Sequence, residues 1–173
     1  PKVIEVAATL LDAFADPALA DPDSGRCTVD IVSQFTIGLP MAIIAHALGV
    51  GDEDLARFKR WSDDLVMPVG NSAPSVEQTR GYLVSTKEFA EHFAVKLADR
   101  RANPTGDLIP DVANAELDGE RLSDAEMLGM LQQFLVAGNE TTTATLAEGI
   151  RQLCLNPEQE AVVRKDRSLI PNL

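Results

Sequence analysis

The sequence predicts an all-α fold with at most a minor β-hairpin, and three observations indicate this class. Apolar residues recur three and four positions apart along most of the 173 residues, a spacing that puts them on one face of each helix. Clusters of Pro, Gly, Asn and Asp separate these periodic stretches, as turns do. Residues 124–155 contain no proline and allow one helix of about 32 residues, roughly three times the usual length.

The first half of the chain contains three predicted helices and a loop. The first helix covers residues 3–15, and the second is a buried, more apolar helix over residues 28–48 that Pro40 interrupts. Asp52 is the predicted N-cap of the third helix, because its side chain can accept a hydrogen bond from the first turn. Residues 66–74 are rich in proline and glycine, which predicts a loop.

The fourth predicted helix begins at a capping box. Ser75 and Gln78 have the required spacing of three, and the apolar periodicity then continues to Arg101. A short helix is predicted over residues 107–114. Residues 117–120 form a turn at the tip of a small hairpin.

The last third of the chain contains the longest predicted helix. Ser123 and Glu126 form a second capping box, at the start of a helix over residues 124–155. A further helix begins at Pro157. No repeat or linker divides the chain, so we expect a single helical domain over residues 1–173. Only 5% of the residues are aromatic, which predicts a core of Leu, Ile, Val and Ala.

Composition and charge exclude several classes of protein. The chain carries 15 Lys and Arg against 27 Asp and Glu, a formal net charge of −12, which argues against binding of nucleic acid. No apolar run is long enough to cross a membrane, and the first residues do not form a signal peptide. The 2 cysteines are too few for a disulfide-stapled secreted domain, and the 2 histidines lack metal-ligand spacing. We therefore expect a soluble, cytoplasmic protein without its own metal ligands.

The middle of the long helix contains residues that disfavour a helix. Gly138 costs about 1 kcal/mol relative to alanine, and with Asn139 and the following threonines the penalty reaches about 2–3 kcal/mol. The Thr141 hydroxyl can also bond to the Ala137 carbonyl one turn earlier, so we expect a π-bulge or kink here. Glu140 lies in this stretch, where a carboxylate beside a hydroxyl can relay protons. In the alternative interpretation, Glu140 faces solvent and the threonines only pack.

Residues 134–142, Phe-Leu-Val-Ala-Gly-Asn-Glu-Thr-Thr, resemble the distal helix of cytochromes P450, whose pattern is Ala/Gly-Gly-x-Asp/Glu-Thr-Thr/Ser. Residues 29–50 are similar to the E-helix region of bacterial members, and residues 58–65 are similar to their F helix. The stretches flanking the distal helix match in the same order, at residues 107–109, 117–123 and 156–159. The resemblance implies a partial P450 fold, from about the D helix to the J helix, around a long distal (I) helix.

The resemblance also implies haem-dependent monooxygenation, in which one atom of O2 enters a small organic substrate and the other leaves as water. The two electrons come from a ferredoxin or a flavoprotein. Glu140 and Thr141 would form the catalytic pair, with Thr141 hydrogen-bonding dioxygen and Glu140 bringing protons from solvent. Ala137 and Gly138, together with Thr141, would contact the haem, because small residues let it approach the helix.

Two groups of residues would face the substrate in such a fold. The first lies on the distal helix about one turn before the catalytic pair and consists of Gln133, Val136 and Ala137. The second ends the third helix, where the family's substrate lid begins, and consists of Leu65, Val66 and Met67. In the alternative interpretation, these last three are ordinary core and loop residues.

Two signatures of the family are absent from the chain. The iron ligand of the family is a cysteine in a Phe-x-x-Gly-x-x-x-Cys loop, and neither Cys27 nor Cys154 has this context. Both are expected to be small, buried or half-buried residues. The Glu-x-x-Arg spacing occurs at residues 77–80 and 148–151, before or within the distal helix, so we interpret both as surface pairs.

The chain by itself is therefore expected to be a fragment that binds no thiolate-ligated haem and has no activity. Apolar surface that normally packs on absent elements would promote self-association of the fragment. The alternative is a non-catalytic all-α ligand-binding or dimerisation module, in which residues 138–145 only bend a helix around an apolar ligand.

Overall fold

The computed structural model describes residues 2–172, which form seven α-helices and one antiparallel hairpin. The helices are α1 (Lys2–Asp12), α2 (Gly38–Ala47), α3 (Leu55–Val66), α4 (Val76–Ala102), α5 (Ile109–Ala113), α6 (Asp124–Leu155) and α7 (Pro157–Lys165). The strands are β1 (Glu116–Leu117) and β2 (Glu120–Arg121). The predicted all-α class with a minor hairpin is confirmed. Within residues 2–172, no helix has the length and apolar character needed to cross a membrane.

The chain divides into two compact units. We call residues 40–139 the central unit, which contains α3, α4, α5 and the first half of α6. The terminal unit comprises residues 3–39 and the chain from Glu140 onward, including the second half of α6 and α7. Helix α6 therefore contributes to both units, and the division falls between Asn139 and Glu140.

The core of the central unit is more aromatic than the composition predicts. Trp61 of α3 is fully buried, and its ring meets Phe89 of α4 edge-to-face, with 5.7 Å between the centroids. Phe58 and Phe93 are also fully buried beside the same indole. Most of the other buried apolar residues are Leu, Ile, Val and Ala, as expected, and the few large rings add a large share of the buried apolar area.

Helix α6 has the predicted bounds and the predicted start. The Ser123 backbone N–H donates to Glu126 Oε2 at 2.8 Å, and Ser123 Oγ accepts from the Glu126 N–H at 3.3 Å, which confirms the capping box. In the central unit one side of the helix is buried at four-residue intervals, by Met127, Leu131, Leu135 and Asn139. This buried stripe determines which face of α6 is left for other contacts.

The second predicted helix differs from expectation. Asp30 Oδ1 accepts from the Val32 N–H at 3.0 Å, and a π turn over Val32–Thr36 precedes α2, which begins at Gly38. Pro40 lies in the first turn of α2, where proline is tolerated because the N–H groups have no intrahelical acceptor. The predicted interruption at Pro40 is therefore wrong, and the proline belongs to a helix start.

Of the other predicted helix starts, two are confirmed and one is wrong. Ser75 Oγ accepts from the Gln78 N–H at 3.1 Å, so the capping box of α4 is confirmed, and α7 begins at Pro157 as predicted. The N-cap predicted at Asp52 is wrong, because a 3₁₀ turn comes first and α3 begins only at Leu55.

The predicted hairpin tip is confirmed. Glu116 of β1 pairs with Arg121 of β2 around a two-residue turn. Asp118 and Gly119 have φ values of 53° and 85°, and two successive positive φ angles are what a type I′ turn requires.

Candidate functional site

Helix α6 presents two opposite faces in the central unit. The stripe that ends at Asn139 is buried, and Val136 at its edge is half-buried against the same core. Gln133 and Ala137 are exposed, because helical spacing puts them opposite the buried stripe. The structure therefore brings Gln133 and Ala137 together on the exposed face and places Val136 beside the core.

Gly138 is half-buried against α2. A Cβ atom at this position would lie 3.4 Å from Ile44 Cδ1 and 3.7 Å from Ile44 Cγ1, which is ordinary van der Waals contact. A side chain would thus leave Gly138 toward α2 and away from the face that carries Ala137. This packing role was missed in the sequence, and the predicted contact of Gly138 with haem stays a prediction.

Asn139 is buried and makes one polar contact. Its Nδ2 amide donates to Oγ of Ser62, a fully buried residue of α3, at 2.8 Å. Within residues 2–172 the Asn139 Oδ1 atom is buried without a hydrogen-bond partner. Sequence reasoning treated Asn139 only as a poor helix former. Its four-residue spacing from Leu135 and Leu131 was the signal that it faces the core.

In the terminal unit, Glu140 is half-buried and Thr141 is exposed. Every residue of α6 is α-helical, so the predicted π-bulge is wrong. The Thr145 hydroxyl donates to the Thr141 carbonyl oxygen at 2.8 Å, so a threonine of this stretch bonds back along the helix without a change of helix type. The bond expected from the Thr141 hydroxyl to the Ala137 carbonyl stays a prediction. Burial of one large apolar side chain contributes about 1.5–3 kcal/mol, so the packed stripe of α6 outweighs the local penalty.

A shallow groove of about 190 Å³ lies beside Thr141, lined also by Thr142, Thr145 and Leu146. Pockets that enclose a drug-sized ligand measure about 300–1,000 Å³, so this groove alone is too small to enclose one. Methyl groups and hydroxyls line it, which suits contact with one face of a large, flat and mostly apolar group such as haem. The four lining residues carry no thiolate or imidazole that could ligate iron.

The three substrate residues predicted at the end of α3 differ in burial. Leu65 is 4% exposed and belongs to the hydrophobic core, which favours the core interpretation for it. Val66 and Met67 are half-buried and stay candidates. Sequence reasoning missed a groove of about 390 Å³ after the following loop, which is lined by Pro74, Val76, Thr79, Arg80, Leu83 and Val84.

Neither cysteine is placed as expected. Cys27 and Cys154 are exposed free thiols, so the prediction that they are buried or half-buried is wrong. Cys27 follows an exposed turn, and Cys154 is in the last turn of α6, beyond the buried stripe.

Glu148 and Arg151 form an exposed pair, with 2.8 Å between Arg151 Nε and Glu148 Oε2, as interpreted from the sequence. Hydrogen bonds from Arg151 and then Gln152 lower the pKa of Glu148 to about 2.

A polar cluster of Arg57 and His92 lies between α3 and α4, beside the Trp61 ring. The Arg57 guanidinium is 5.0 Å from the centroid of the Trp61 ring, and its NH2 group contacts His92 Nδ1 at 3.1 Å. Burial lowers the pKa of His92 below its ordinary value of 6.5, and the charges of Lys96 and Arg57 lower it further, against a smaller opposing effect of Asp54. A neutral His92 ring can accept this hydrogen bond from Arg57.

Comparison with known proteins gives a consistent result, although no family model matches the chain. The steroid C26-monooxygenase of Mycobacterium tuberculosis is 37% identical over 163 residues, which are 94% of this chain and 41% of the relative. Cytochrome P450 107B1 of Saccharopolyspora erythraea is 31% identical over 171 residues, which are 99% of this chain and 38% of the relative.

Solved structures agree with the sequence relatives. The ligand-free structure of cytochrome P450 TbtJ1 superposes with a TM-score of 0.84 at 31% identity, over 99% of this chain and 42% of that protein. The chain thus spans about two fifths of the length of the proteins it matches. Because the similarity runs through nearly the whole chain in sequence and in fold, the chain belongs to the cytochrome P450 family and corresponds to part of its helical region.

Proposed function

We propose that the chain is part of a haem-thiolate monooxygenase, which inserts one oxygen atom of O2 into a small organic substrate. Membership of the P450 family supports this activity, and the relative from Mycobacterium tuberculosis is itself named a monooxygenase. The proposal depends on the consecutive acid and alcohol, Glu140 and Thr141, in the middle of α6, with Thr141 exposed beside the shallow groove. A non-catalytic module has no need of such a pair.

The exposed residues of α6 fit the distal face of a haem group. When bound, haem supplies the iron at which dioxygen is reduced, and a cysteine thiolate tunes that iron. We assign the distal contacts to the exposed Ala137 and Thr141, whose small side chains allow close approach. Gly138 stays a candidate through its backbone only, because a Cβ there would point toward Ile44 of α2. The iron ligand is assigned to neither Cys27 nor Cys154, because neither lies in the glycine-rich motif that such a ligand requires.

Glu140 and Thr141 divide the handling of protons between them. The Thr141 hydroxyl donates a hydrogen bond to dioxygen and passes protons to it during reduction. The Glu140 carboxyl group, which is half-buried, exchanges protons between solvent and the hydroxyl. Without the hydroxyl, dioxygen that has taken up two electrons would take its two protons from solvent and be released as hydrogen peroxide, so electrons would be consumed without product.

The substrate is expected to contact residues from α6 and α3. On α6, the exposed Gln133 amide can orient a polar substituent, and Val136 and Ala137 offer apolar contact. On α3, Val66 and Met67 lie at the end of the helix, next to the loop that we assign to the substrate lid. The electrons are assigned to a ferredoxin or a flavoprotein. Free thiols at the surface are consistent with a reducing compartment, and we place the protein in the cytoplasm.

The test is substitution of Thr141 in the full-length, haem-loaded protein. A positioned proton donor contributes about 10²–10⁴-fold to a rate, so Thr141→Ala is expected to lower product formation about a hundredfold while electron consumption continues. Hydrogen peroxide accounts for the difference. Thr9→Ala is the matched control, because Thr9 is likewise an exposed helical threonine, and its hydroxyl donates to the Glu5 carbonyl oxygen at 3.0 Å.

Two results would contradict the proposal at different levels. Unchanged coupling of electrons to product in Thr141→Ala removes Thr141 from its role but leaves the enzyme class intact. A full-length protein that shows no red-shifted thiolate Soret band, after reduction and addition of carbon monoxide, contradicts the haem-thiolate class itself.

A further inference from the structure

We propose that Asn139 is a positioning residue, which through its hydrogen bond to Ser62 holds α3, and the Val66–Met67 end of α3, in one alignment on α6. The inference deepens the proposed function and rests on it, because Val66 and Met67 are assigned there to the substrate. The bond joins Asn139 Nδ2 to Ser62 Oγ at 2.8 Å, and the two residues are 1% and 0% exposed.

The place of this bond in the fold is what gives it a positioning role. Ser62 lies in the middle of α3, and Val66 follows one helical turn later on the same side. Helix α3 packs extensively on α4, as in the contact of Trp61 with Phe89, but contacts within that pair do not align it on α6. Apolar contacts are also non-directional, whereas a hydrogen bond fixes a register.

A second polar link to α6 is weaker. Arg101 of α4 donates to Asp124 at 2.7 Å, but the two side chains are 42% and 75% exposed. Exposed ion pairs of this kind contribute little, because water screens them and two long side chains must be ordered. Among the residues that the structure describes, the buried Asn139–Ser62 bond is therefore the polar contact that can align α3 on α6.

Stability does not explain an asparagine at this position. Asn139 Oδ1 is buried without a partner in the part of the chain that the structure describes, and an unsatisfied buried acceptor is destabilising. Reversing the amide would pair Oδ1 with the Ser62 hydroxyl and leave Nδ2 unpaired instead. A leucine would continue the buried stripe of Leu131 and Leu135 without either penalty. We infer that a polar residue at this position favours one alignment of the two helices over shifted alignments that would break the hydrogen bond.

The experiment measures hydrogen–deuterium exchange in the full-length protein and in three variants: Asn139→Leu, Ser62→Ala and the double variant. Ser85→Ala is the matched control. Ser85 is likewise fully buried, but its hydroxyl donates to Asp64 and accepts from Arg60, so this variant removes a buried serine hydroxyl from the α3–α4 contact instead. The second readout is the midpoint of thermal unfolding.

We expect each single variant to raise the opening equilibrium of the amides of residues 62–67 about fivefold, as loss of the net contribution of one hydrogen bond does. The double variant is expected to match the single variants, because both substitutions remove the same bond. The unfolding midpoint of Asn139→Leu stays the same or rises, and exchange in α5 does not change. Ser85→Ala is expected to raise exchange in α3 and α4 together.

Two outcomes would overturn the inference. One is exchange of residues 62–67 within twofold of the parent in both single variants. The other is a lower unfolding midpoint with faster exchange throughout the central unit, which indicates ordinary core packing. Ser62→Ala deletes one oxygen atom only, so it carries the test where Asn139→Leu fails to fold. Exchange requires no turnover, so this result is separate from the carbon monoxide spectrum that tests the proposed function.

Discussion

An alanine in place of Gly138 is expected to stabilise the protein and to leave its haem content unchanged. A change from glycine to alanine inside a helix contributes about 0.8–1.0 kcal/mol through backbone propensity. The added Cβ would lie 3.4 Å from Ile44 Cδ1, an ordinary contact with the flexible end of a side chain, so no clash offsets the gain. The free energy of unfolding is therefore expected to rise by about 1 kcal/mol.

Gly129 and Gly149 provide matched controls on the same helix. Among the described residues, nothing lies within 4 Å of the place where a Cβ would stand at either position, so their alanine variants report helix propensity. The assay is thermal unfolding of the full-length protein followed by circular dichroism, with haem content measured by absorbance. Gly138→Val is expected to reverse the gain, because its branched side chain adds bulk against Ile44 and loses χ1 freedom in a helix.

The reasoning is refuted by a loss of stability in Gly138→Ala alongside a gain in Gly129→Ala, since Ile44 then cannot accommodate a methyl group. A different result would refute the direction assigned to the Gly138 side chain. If Gly138→Ala keeps its stability but loses haem, the methyl group meets the cofactor, as the sequence motif predicts, and not α2.

His92 is expected to make stability depend on pH. Its pKa in the folded protein lies below 6.5, so its contribution is present above pH 6.5 and is lost as the pH falls toward the lowered value, where the unfolded chain binds a proton that the folded chain does not. The unfolding midpoints at pH 7.5 and pH 5.5 should differ less in His92→Phe than in the parent. An equal difference in both proteins would show that His92 does not cause the pH dependence. Residues 1–173 supplied with haem, reduced and exposed to carbon monoxide are expected to show no thiolate Soret band, because neither cysteine lies in a ligand motif; appearance of that band would contradict this. The same chain is expected to self-associate through apolar side chains such as Ile4, which is 74% exposed, and a monomer mass independent of concentration in light scattering would count against it.

Helix boundaries were predictable where both partners of a contact lie within one turn. The capping boxes at Ser75 and Ser123 each join residues three positions apart, and both hydrogen bonds are present. The full extent of α6 followed from the second capping box and the absence of proline before Pro157. These features depend on local chemistry, so the sequence contains all that is needed to identify them.

Predictions failed where surroundings outweigh local preference. The threonines after Gly138 cost helix stability in isolation, yet α6 stays α-helical because its packed stripe contributes more. Aspartate is a common N-cap residue, but Asp52 is the first residue of a 3₁₀ turn, and α3 begins only at Leu55. Cysteine is often a buried residue, but Cys27 and Cys154 are both exposed, because burial depends on tertiary packing and not on residue type alone.

The sequence by itself determined the all-α class, the bounds of α6, the family motif and the order of Glu140 and Thr141. All of these depend on residue identity or on contacts within about four residues. Only the tertiary structure decided that Gly138 faces Ile44, that Leu65 is a core residue and that Asn139 finds Ser62 across 77 positions of sequence. The physical reason is that α2, α3 and α6 contact one another only in the folded packing. Periodicity within one helix indicates which face is buried, but it does not identify the residues that pack against that face.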